Sequence, residues 1–217
     1  MARAETADAR TSSMVRVWDL FVRIAHWTAA FGFFIAYFSE DAISLHVWAG
    51  YVVGVVVVLR VLWGFVGPKH ARFVDFLYRP AEVLRYLRDL VTFRGQPYLG
   101  HSPAGGAMAI ALWLGLVVTV GSGLVLYALE DNAGPLAGII GPSVGAVPVE
   151  REGPGREEDE REEAGGADLW EEVHEMLANL TLILAIVHIA GVLLASHVHR
   201  ENLTRAMITG DKSPLND

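Results

Sequence analysis

The fold is decided by one stretch near the end of the chain, VHEMLANLTLILAIVHIAGVLLASH, residues 173–197. It is long and apolar enough to cross a membrane as a helix, and it carries His174 and His188 fourteen residues apart. At roughly 100° per residue, fourteen steps return a side chain to within about 40° of its starting face. At ~1.5 Å per residue, the two imidazoles are ~21 Å apart along the axis. The stretch therefore predicts a membrane helix with one imidazole near each side of the bilayer.

Composition places the chain in the membrane class. The 217 residues are 53% hydrophobic, and the apolar residues are clustered rather than spread along the chain. There is no cysteine, which excludes disulfides, thiolate zinc sites, iron–sulfur clusters held by this chain and covalent attachment of a c-type haem. Membrane lipid is therefore an expected partner, and nucleic acid is not.

Four apolar segments are long enough to span a bilayer as helices. They cover residues 17–38, 44–66, 104–129 and 173–198. The sequence thus predicts an all-α membrane protein, an antiparallel four-helix transmembrane bundle, within a membrane domain of residues 15–212. Residues 1–14 and 213–217 are expected to be tails, and the first tail is predicted to be disordered.

The predicted loop of residues 130–172 holds about half of the acidic side chains. It contains 13 acidic and 3 basic residues, so the remainder of the chain carries +2 although the whole chain carries −8. Glycines and like charges predict that this loop is disordered. A solvated spacer is the plainer interpretation, and a docking patch for a basic electron-transfer partner is the alternative.

Basic residues indicate how the spans are oriented. The loop of residues 69–101 is rich in Arg and Lys, as are both tails, whereas the other two loops are acidic. The positive-inside rule then places both termini and the basic loop in the cytoplasm. Within that loop, PAEVLRYLRDLV, residues 80–91, has apolar residues at helical spacing and predicts an amphipathic helix on the inner membrane surface.

Depth along the predicted helices sorts four histidines into two pairs. His46 and His174 both come directly after an outer loop. His26 lies ~18 Å, and His188 ~21 Å, from the outer boundary, by the helical rise. The predicted pairs are an outer one, His46 with His174, and an inner one, His26 with His188. A neutral imidazole on each side of an iron is the ligand set of a bis-histidine haem b, which suits electron transfer.

Other interpretations of these residues stay open. One alternative is that these histidines do no more than form hydrogen bonds between helices. Four histidines that pair by depth favour ligation instead. Arg60, fourteen residues after His46, lies on nearly the same face at the depth of the inner pair. It could neutralise a haem propionate there or extend to the inner surface. His199 is the best alternative ligand, but it lies close to the cytoplasm.

Four blocks of the sequence occur in an order typical of one family. They are VRVWDLFVRIAHW from Val15, SLHVWAGYVVGVVVVLRVLWGFVGPKHARF from Ser44, YLGHSPAGGAMAIALWL from Tyr98 and HEMLANLTLILAIVHIAGVLLASHVHRENLTRAMITG from His174. Together they resemble the bacterial cytochrome b561 and nickel-dependent hydrogenase cytochrome b subunit family. GHSPAGG resembles the family's GHNPxGG segment, with Ser102 where Asn is usual.

The resemblance implies a function as well as a fold. It implies four helices of the inner membrane with two haem b groups, whose ligands fall on His26, His46, His174 and His188. It also implies electron transfer between quinone and a periplasmic redox partner, a cytochrome c or a hydrogenase-type protein. The acidic loop is longer than the family pattern, which leaves the partner open, and a homodimer also stays open.

Two other functions are compatible with the same residues. One is a stand-alone quinol- or superoxide-dependent oxidoreductase with a substrate pocket at one haem. The other is a haem-free membrane scaffold. The expected role remains an electron-transfer subunit rather than a self-contained enzyme.

Overall fold

The computed structural model of the protein describes residues 14–140 and 156–212, the side chains of 156–165 excepted. The predicted tails, apart from Met14, and residues 141–155 of the predicted acidic loop lie outside this part of the chain. The helices are α1 Leu20–Tyr37, α2 Ile43–Val66, α3 Pro80–Val91, α4 Pro103–Glu130, α5 Arg156–His199 and α6 Leu203–Thr209. Two 3-10 turns, Lys69–Ala71 and Phe73–Asp75, lie between α2 and α3, and two short strands, β1 Val15–Arg16 and β2 Asp211–Lys212, flank the helices.

Four of the helices are long and apolar enough to cross a membrane. They are α1, α2, α4 and the part Gly166–His199 of α5. Large apolar side chains along them are open to the surroundings, among them Phe31 (62% exposed), Trp48 (70%) and Leu193 (62%). Such surfaces need lipid rather than water around them. The protein is therefore a mostly helical membrane protein.

The first and third spans begin at capped residues. The Oδ1 atom of Asp19 accepts a hydrogen bond from the Val22 backbone N–H at 2.9 Å, so α1 begins at Leu20, three residues later than predicted. The Oγ atom of Ser102 accepts from the Gly105 N–H at 3.2 Å, with Pro103 at the first helical position. Ser and Asn are equally good N-caps, which explains why Ser102 can stand where the family usually has Asn.

One predicted boundary is wrong. The α5 helix begins at Arg156, whereas the sequence analysis predicts a loop through residue 172 and a span from residue 173. Glu, Arg and Ala, which are frequent in residues 156–172, have high helix propensity. Backbone propensity therefore favours helix in a segment that charge density alone assigns to a disordered loop.

The chain forms two compact units. The first unit contains Leu59–Ile110 with the described parts of Met1–Trp27 and Val187–Asp217. In it β1 pairs antiparallel with β2, Val15 opposite Lys212. One apolar cluster of this unit is built on Val17, Trp18, Val22, Ala71 and Ala206, and another on Tyr86, Leu90 and Ala195.

The second unit contains Thr28–Val58 and the described part of Ala111–Ile186. Its core consists of Ala29, Phe33, Val53, Val57 and Leu116, which come from α1, α2 and α4. A Cβ atom on Gly54 would lie 3.1 Å from a methyl carbon of Val120, so α2 and α4 approach each other closely at this glycine.

The predicted amphipathic helix is confirmed as α3, Pro80–Val91. Tyr86 and Leu90 are buried in the first unit, whereas Leu84 and Val91 are 67% and 62% exposed. The helix thus has an apolar side against the protein and further apolar side chains open to the surroundings, as expected of a helix at a membrane surface.

Candidate functional site

The four histidines of interest form two facing pairs. In the first unit, the ring centroids of His26 and His188 are 6.3 Å apart, with 61° between the ring planes. In the second unit, those of His46 and His174 are 5.9 Å apart, with 79° between the planes. The structure therefore brings together the same partners that the depth estimate predicts. Each pair joins side chains from two different helices.

The spacing within each pair fits an iron held between two imidazoles. A metal–imidazole bond is ~2 Å long and a ring nitrogen lies ~1 Å from its ring centroid, so two rings on opposite sides of one metal have centroids ~6 Å apart. The observed 5.9 Å and 6.3 Å agree with this value. Both pairs thus have the separation that axial ligands of a haem require.

One ring nitrogen of each histidine of the second unit already has a hydrogen-bond partner. The Nδ1 atom of His46 lies 2.9 Å from the carbonyl oxygen of Ala36. The Nδ1 atom of His174 lies 2.9 Å from the hydroxyl oxygen of Ser122. The Nε2 atom is therefore the nitrogen of each ring that is left to bind a metal.

A cavity lies beside His46 and His174 within the second unit. It is lined mostly by apolar side chains of α1, α2, α4 and α5, together with both imidazoles. Gly50 is part of its wall, and a Cβ atom there would meet nothing within 4 Å. Gly123 is also part of the wall, and a Cβ atom there would lie 2.9 Å from Cε1 of His174. Gly123 thus lets the His174 ring lie against α4, and Gly50 leaves space in the wall. Apolar walls of this kind suit a flat macrocycle held by the two imidazoles.

Arg60 belongs to the same unit as His26 and His188. Its side chain is buried, with 4% of its surface exposed, and its guanidinium carbon lies 5.9 Å from the ring centroid of Phe73. One of its two predicted roles is to extend to the inner surface. A side chain that is buried to this degree does not reach the protein surface. Its burial is compatible with the other role, neutralising an anionic group inside the protein.

His101 is a half-buried side chain that the sequence pattern does not single out. Its ring lies between Trp18 and Phe76, with centroid distances of 4.7 Å and 4.5 Å. Burial, helped by the nearby Arg60 guanidinium, lowers the pKa of His101 to about 3, so this imidazole is neutral at physiological pH. Its position in the GHSPAGG block, at a loop before a membrane helix, is the sequence signal that points to it.

Other histidines have partners outside the two pairs. The Nε2 atom of His199, the alternative ligand considered from sequence, lies 3.0 Å from the hydroxyl oxygen of Tyr86 on α3. The Nδ1 atom of His70 lies 3.4 Å from Oδ2 of Asp75. The ring of His197 lies 6.4 Å from that of Phe93. These contacts favour roles in packing the first unit.

Comparisons with known proteins identify the family of the chain. The profile of the family described as prokaryotic cytochrome b561 matches residues 17–210. The chain is 25% identical, over 248 aligned positions, to the probable Ni/Fe-hydrogenase B-type cytochrome subunit of Rhodobacter capsulatus, with 99% of this chain and 87% of the relative covered. No solved structure matches the chain. Because the family match runs from before α1 to the end of α6 and includes both imidazole pairs, the chain belongs to the prokaryotic cytochrome b561 family of membrane haem proteins.

Proposed function

We propose that the protein is a di-haem b-type cytochrome that relays electrons across the bacterial inner membrane. The proposal rests on the two facing imidazole pairs, one in each compact unit. His46 and His174 would hold the outer haem, and His26 and His188 the inner one. The four spans, three of which carry these histidines, would form an antiparallel bundle within a single membrane domain of residues 15–212.

The chain's own residues set the properties of each site. A bound haem supplies one-electron redox chemistry. Two neutral imidazoles would hold each haem, a ligand set that favours electron transfer over ligand chemistry. In the first unit, the buried guanidinium of Arg60 would offset the charge of a propionate and so favour the reduced state of the inner haem.

Sequence spacing supports transfer across the membrane. His174 and His188 are separated by fourteen residues of one membrane-spanning helix. Two haems held by these residues would lie at different depths of the bilayer, because each residue advances the helix by ~1.5 Å. A relay between the two surfaces requires such a difference in depth.

The partners follow from the membrane setting and from the relative. A quinone dissolved in the bilayer is the proposed partner on one side of the relay. A periplasmic hydrogenase-type protein or c-type cytochrome is the proposed partner on the other, and the name of the Rhodobacter capsulatus relative favours the hydrogenase type. The acidic residues of the 130–172 segment would attract a basic partner surface. Self-association into a homodimer is compatible with these roles.

Counting haem tests the cofactor content directly. The pyridine haemochrome of the purified protein should give two haem b per chain, and a reduced-minus-oxidised spectrum should show b-type bands. A colourless protein would identify a haem-free scaffold. Rapid turnover of quinol or superoxide by the isolated protein, with no second protein present, would identify a stand-alone oxidoreductase.

Four single variants test the pairing. His46→Ala and His174→Ala should reduce the haem content from two to one and leave the same residual spectrum. His26→Ala and His188→Ala should also leave one haem, and the residual spectrum should be that of the outer haem. In each variant, one iron loses one of its two histidine ligands. Double variants within a pair should be scarcely worse than single ones, since both residues act on one site. Identical residual spectra for His26→Ala and His46→Ala would contradict the pairing.

A further inference from the structure

The hydroxyl of Ser122 makes two hydrogen-bond contacts next to the outer pair. Ser122 lies on α4 with 4% of its surface exposed. Its Oγ atom lies 2.9 Å from the carbonyl oxygen of Thr119 and 2.9 Å from Nδ1 of His174. Both contacts are short and buried, so each has to be satisfied by a correctly placed proton.

Counting protons fixes the direction of both bonds. A serine hydroxyl has one proton, and the carbonyl oxygen of Thr119 can only accept, so this proton goes to Thr119. Ser122 Oγ then faces His174 with its lone pairs. The contact is satisfied only if Nδ1 of His174 carries a proton and donates it to Ser122. The proton-free nitrogen of His174 is therefore Nε2.

His46 is held in the same tautomer by a different device. Its Nδ1 atom lies 2.9 Å from the Ala36 carbonyl oxygen, which can only accept a hydrogen bond. Both facing imidazoles thus donate from Nδ1 and keep the lone pair on Nε2, the nitrogen that would hold an iron. The ring of His174 has a side-chain partner, Ser122, beside a backbone contact at Thr119, whereas the partner of His46 is a backbone carbonyl. The Ser122 hydroxyl is therefore the partner that a substitution can remove.

We propose that Ser122 is a positioning residue that fixes the tautomer and orientation of His174 and lowers the reduction potential of the outer haem. This inference rests on the proposed function. A hydrogen bond from Nδ1–H raises the basicity of an imidazole as a ligand. A more basic ligand stabilises the oxidised iron relative to the reduced iron. The hydroxyl of Ser122 therefore lowers the reduction potential of one of the two haems, the outer haem that His46 and His174 would hold.

Ser122→Ala in the haem-loaded protein tests the proposal. Loss of such a partner typically weakens a metal site ~10–100-fold, and a less basic ligand weakens the binding of oxidised iron more than that of reduced iron. A tenfold change in the relative affinity for the two oxidation states corresponds to about 59 mV for one electron. We expect a rise of about this size in the midpoint potential of the outer haem, with the inner haem unchanged. The separate variant Ser122→Thr keeps the hydroxyl and should have the potential of the original protein.

A matched control separates the hydroxyl's role from a general effect of removing a buried polar group. Thr181 is also buried, with 1% exposed, and its hydroxyl bonds to that of Thr119 at 3.1 Å. Thr181→Val removes that hydroxyl at nearly constant volume and should leave both potentials unchanged.

Each remaining outcome decides the question. An unchanged potential in Ser122→Ala, or an equal shift in Thr181→Val, overturns the proposal. If Ser122→Ala loses the outer haem, restoration by Ser122→Thr supports the proposal, and equal loss in both variants overturns it. Failure here is distinct from failure of the proposed function, which would appear as two retained haems in His174→Ala.

Discussion

Two glycines that are two residues apart on α4 have different surroundings. A Cβ atom on Gly123 would lie 2.9 Å from Cε1 and 3.3 Å from Nδ1 of His174, so the imidazole lies directly against the α4 backbone. A Cβ atom on Gly121 would meet nothing within 4 Å. The absence of a side chain is therefore needed at Gly123 and not at Gly121.

Gly123→Ala should displace the imidazole of His174 and lower the content of the outer haem, because a methyl group would occupy the space of the ring. Gly121→Ala should retain both haems and gain stability, since Ala in a helix is favoured over Gly by about 1 kcal/mol. The pyridine haemochrome and the melting temperature of the two purified variants check this. Full haem content in Gly123→Ala would show that His174 can move away without cost.

At the residue scale, the sequence predicts the facing histidines better than it predicts their surroundings. His46 and His174 can be paired from helical rise and span boundaries alone. The contacts of Ser122 and Gly123 with His174 depend on the rotation of α4 about its own axis relative to α5. The α4 sequence is apolar on all sides, so hydrophobic periodicity does not indicate that rotation.

Among the elements, the strand pair β1–β2 fastens the two ends of the described chain within the first unit. The Lys212 side chain is 5% exposed, and its Nζ atom donates to the Tyr98 carbonyl at 2.6 Å and lies 3.2 Å from Oε2 of Glu201. Gly210, directly before β2, is also closely packed: its φ is 90°, and a Cβ atom there would lie 2.7 Å from the carbonyl oxygen of Trp18. A buried ammonium with two partners makes this contact specific.

Lys212→Met should lower the free energy of unfolding by about 1–3 kcal/mol, since it removes hydrogen bonds of a charged group and leaves Glu201 without its cation. A shift of ~2–4 °C per kcal/mol is expected for a chain of this size. Lys69→Met, at an exposed position, should change the melting temperature little. Melting curves in detergent compare the two, and equal curves would mean that Lys212 does not stabilise the strand pair.

The elements also show where sequence patterns fail. The length and apolarity of the spans predict α2 and α4 to within one residue at each end. The start of α5 differs by seventeen residues, from 173 to 156, because it lies in a charged segment where hydropathy carries no information about helix. The strand pair is unpredicted as well, since two-residue strands formed between distant segments have no local signal.

At the scale of the whole molecule, charge is distributed unevenly between the segments that join the spans. The connection between α2 and α4 carries six basic and three acidic side chains within residues 69–101. The segment of residues 130–172 carries 13 acidic and 3 basic ones. The described residues contain four candidate spans, and an even number of crossings places the two ends of the described chain on one side of the membrane.

A pair of reporters tests the resulting topology. A reporter active only in the cytoplasm should be active when fused after Lys212 and inactive when inserted near Gly155, because the basic connection stays on the cytoplasmic side. A reporter active only in the periplasm, placed at the same two sites, serves as the control and should give the reverse pattern. Changing the basic residues of the 69–101 connection to Gln should weaken this preference, whereas changing those of the acidic segment should not. Activity of the cytoplasmic reporter near Gly155 alone would invert the assignment, so that His46 and His174 would bind the haem nearer the cytoplasm.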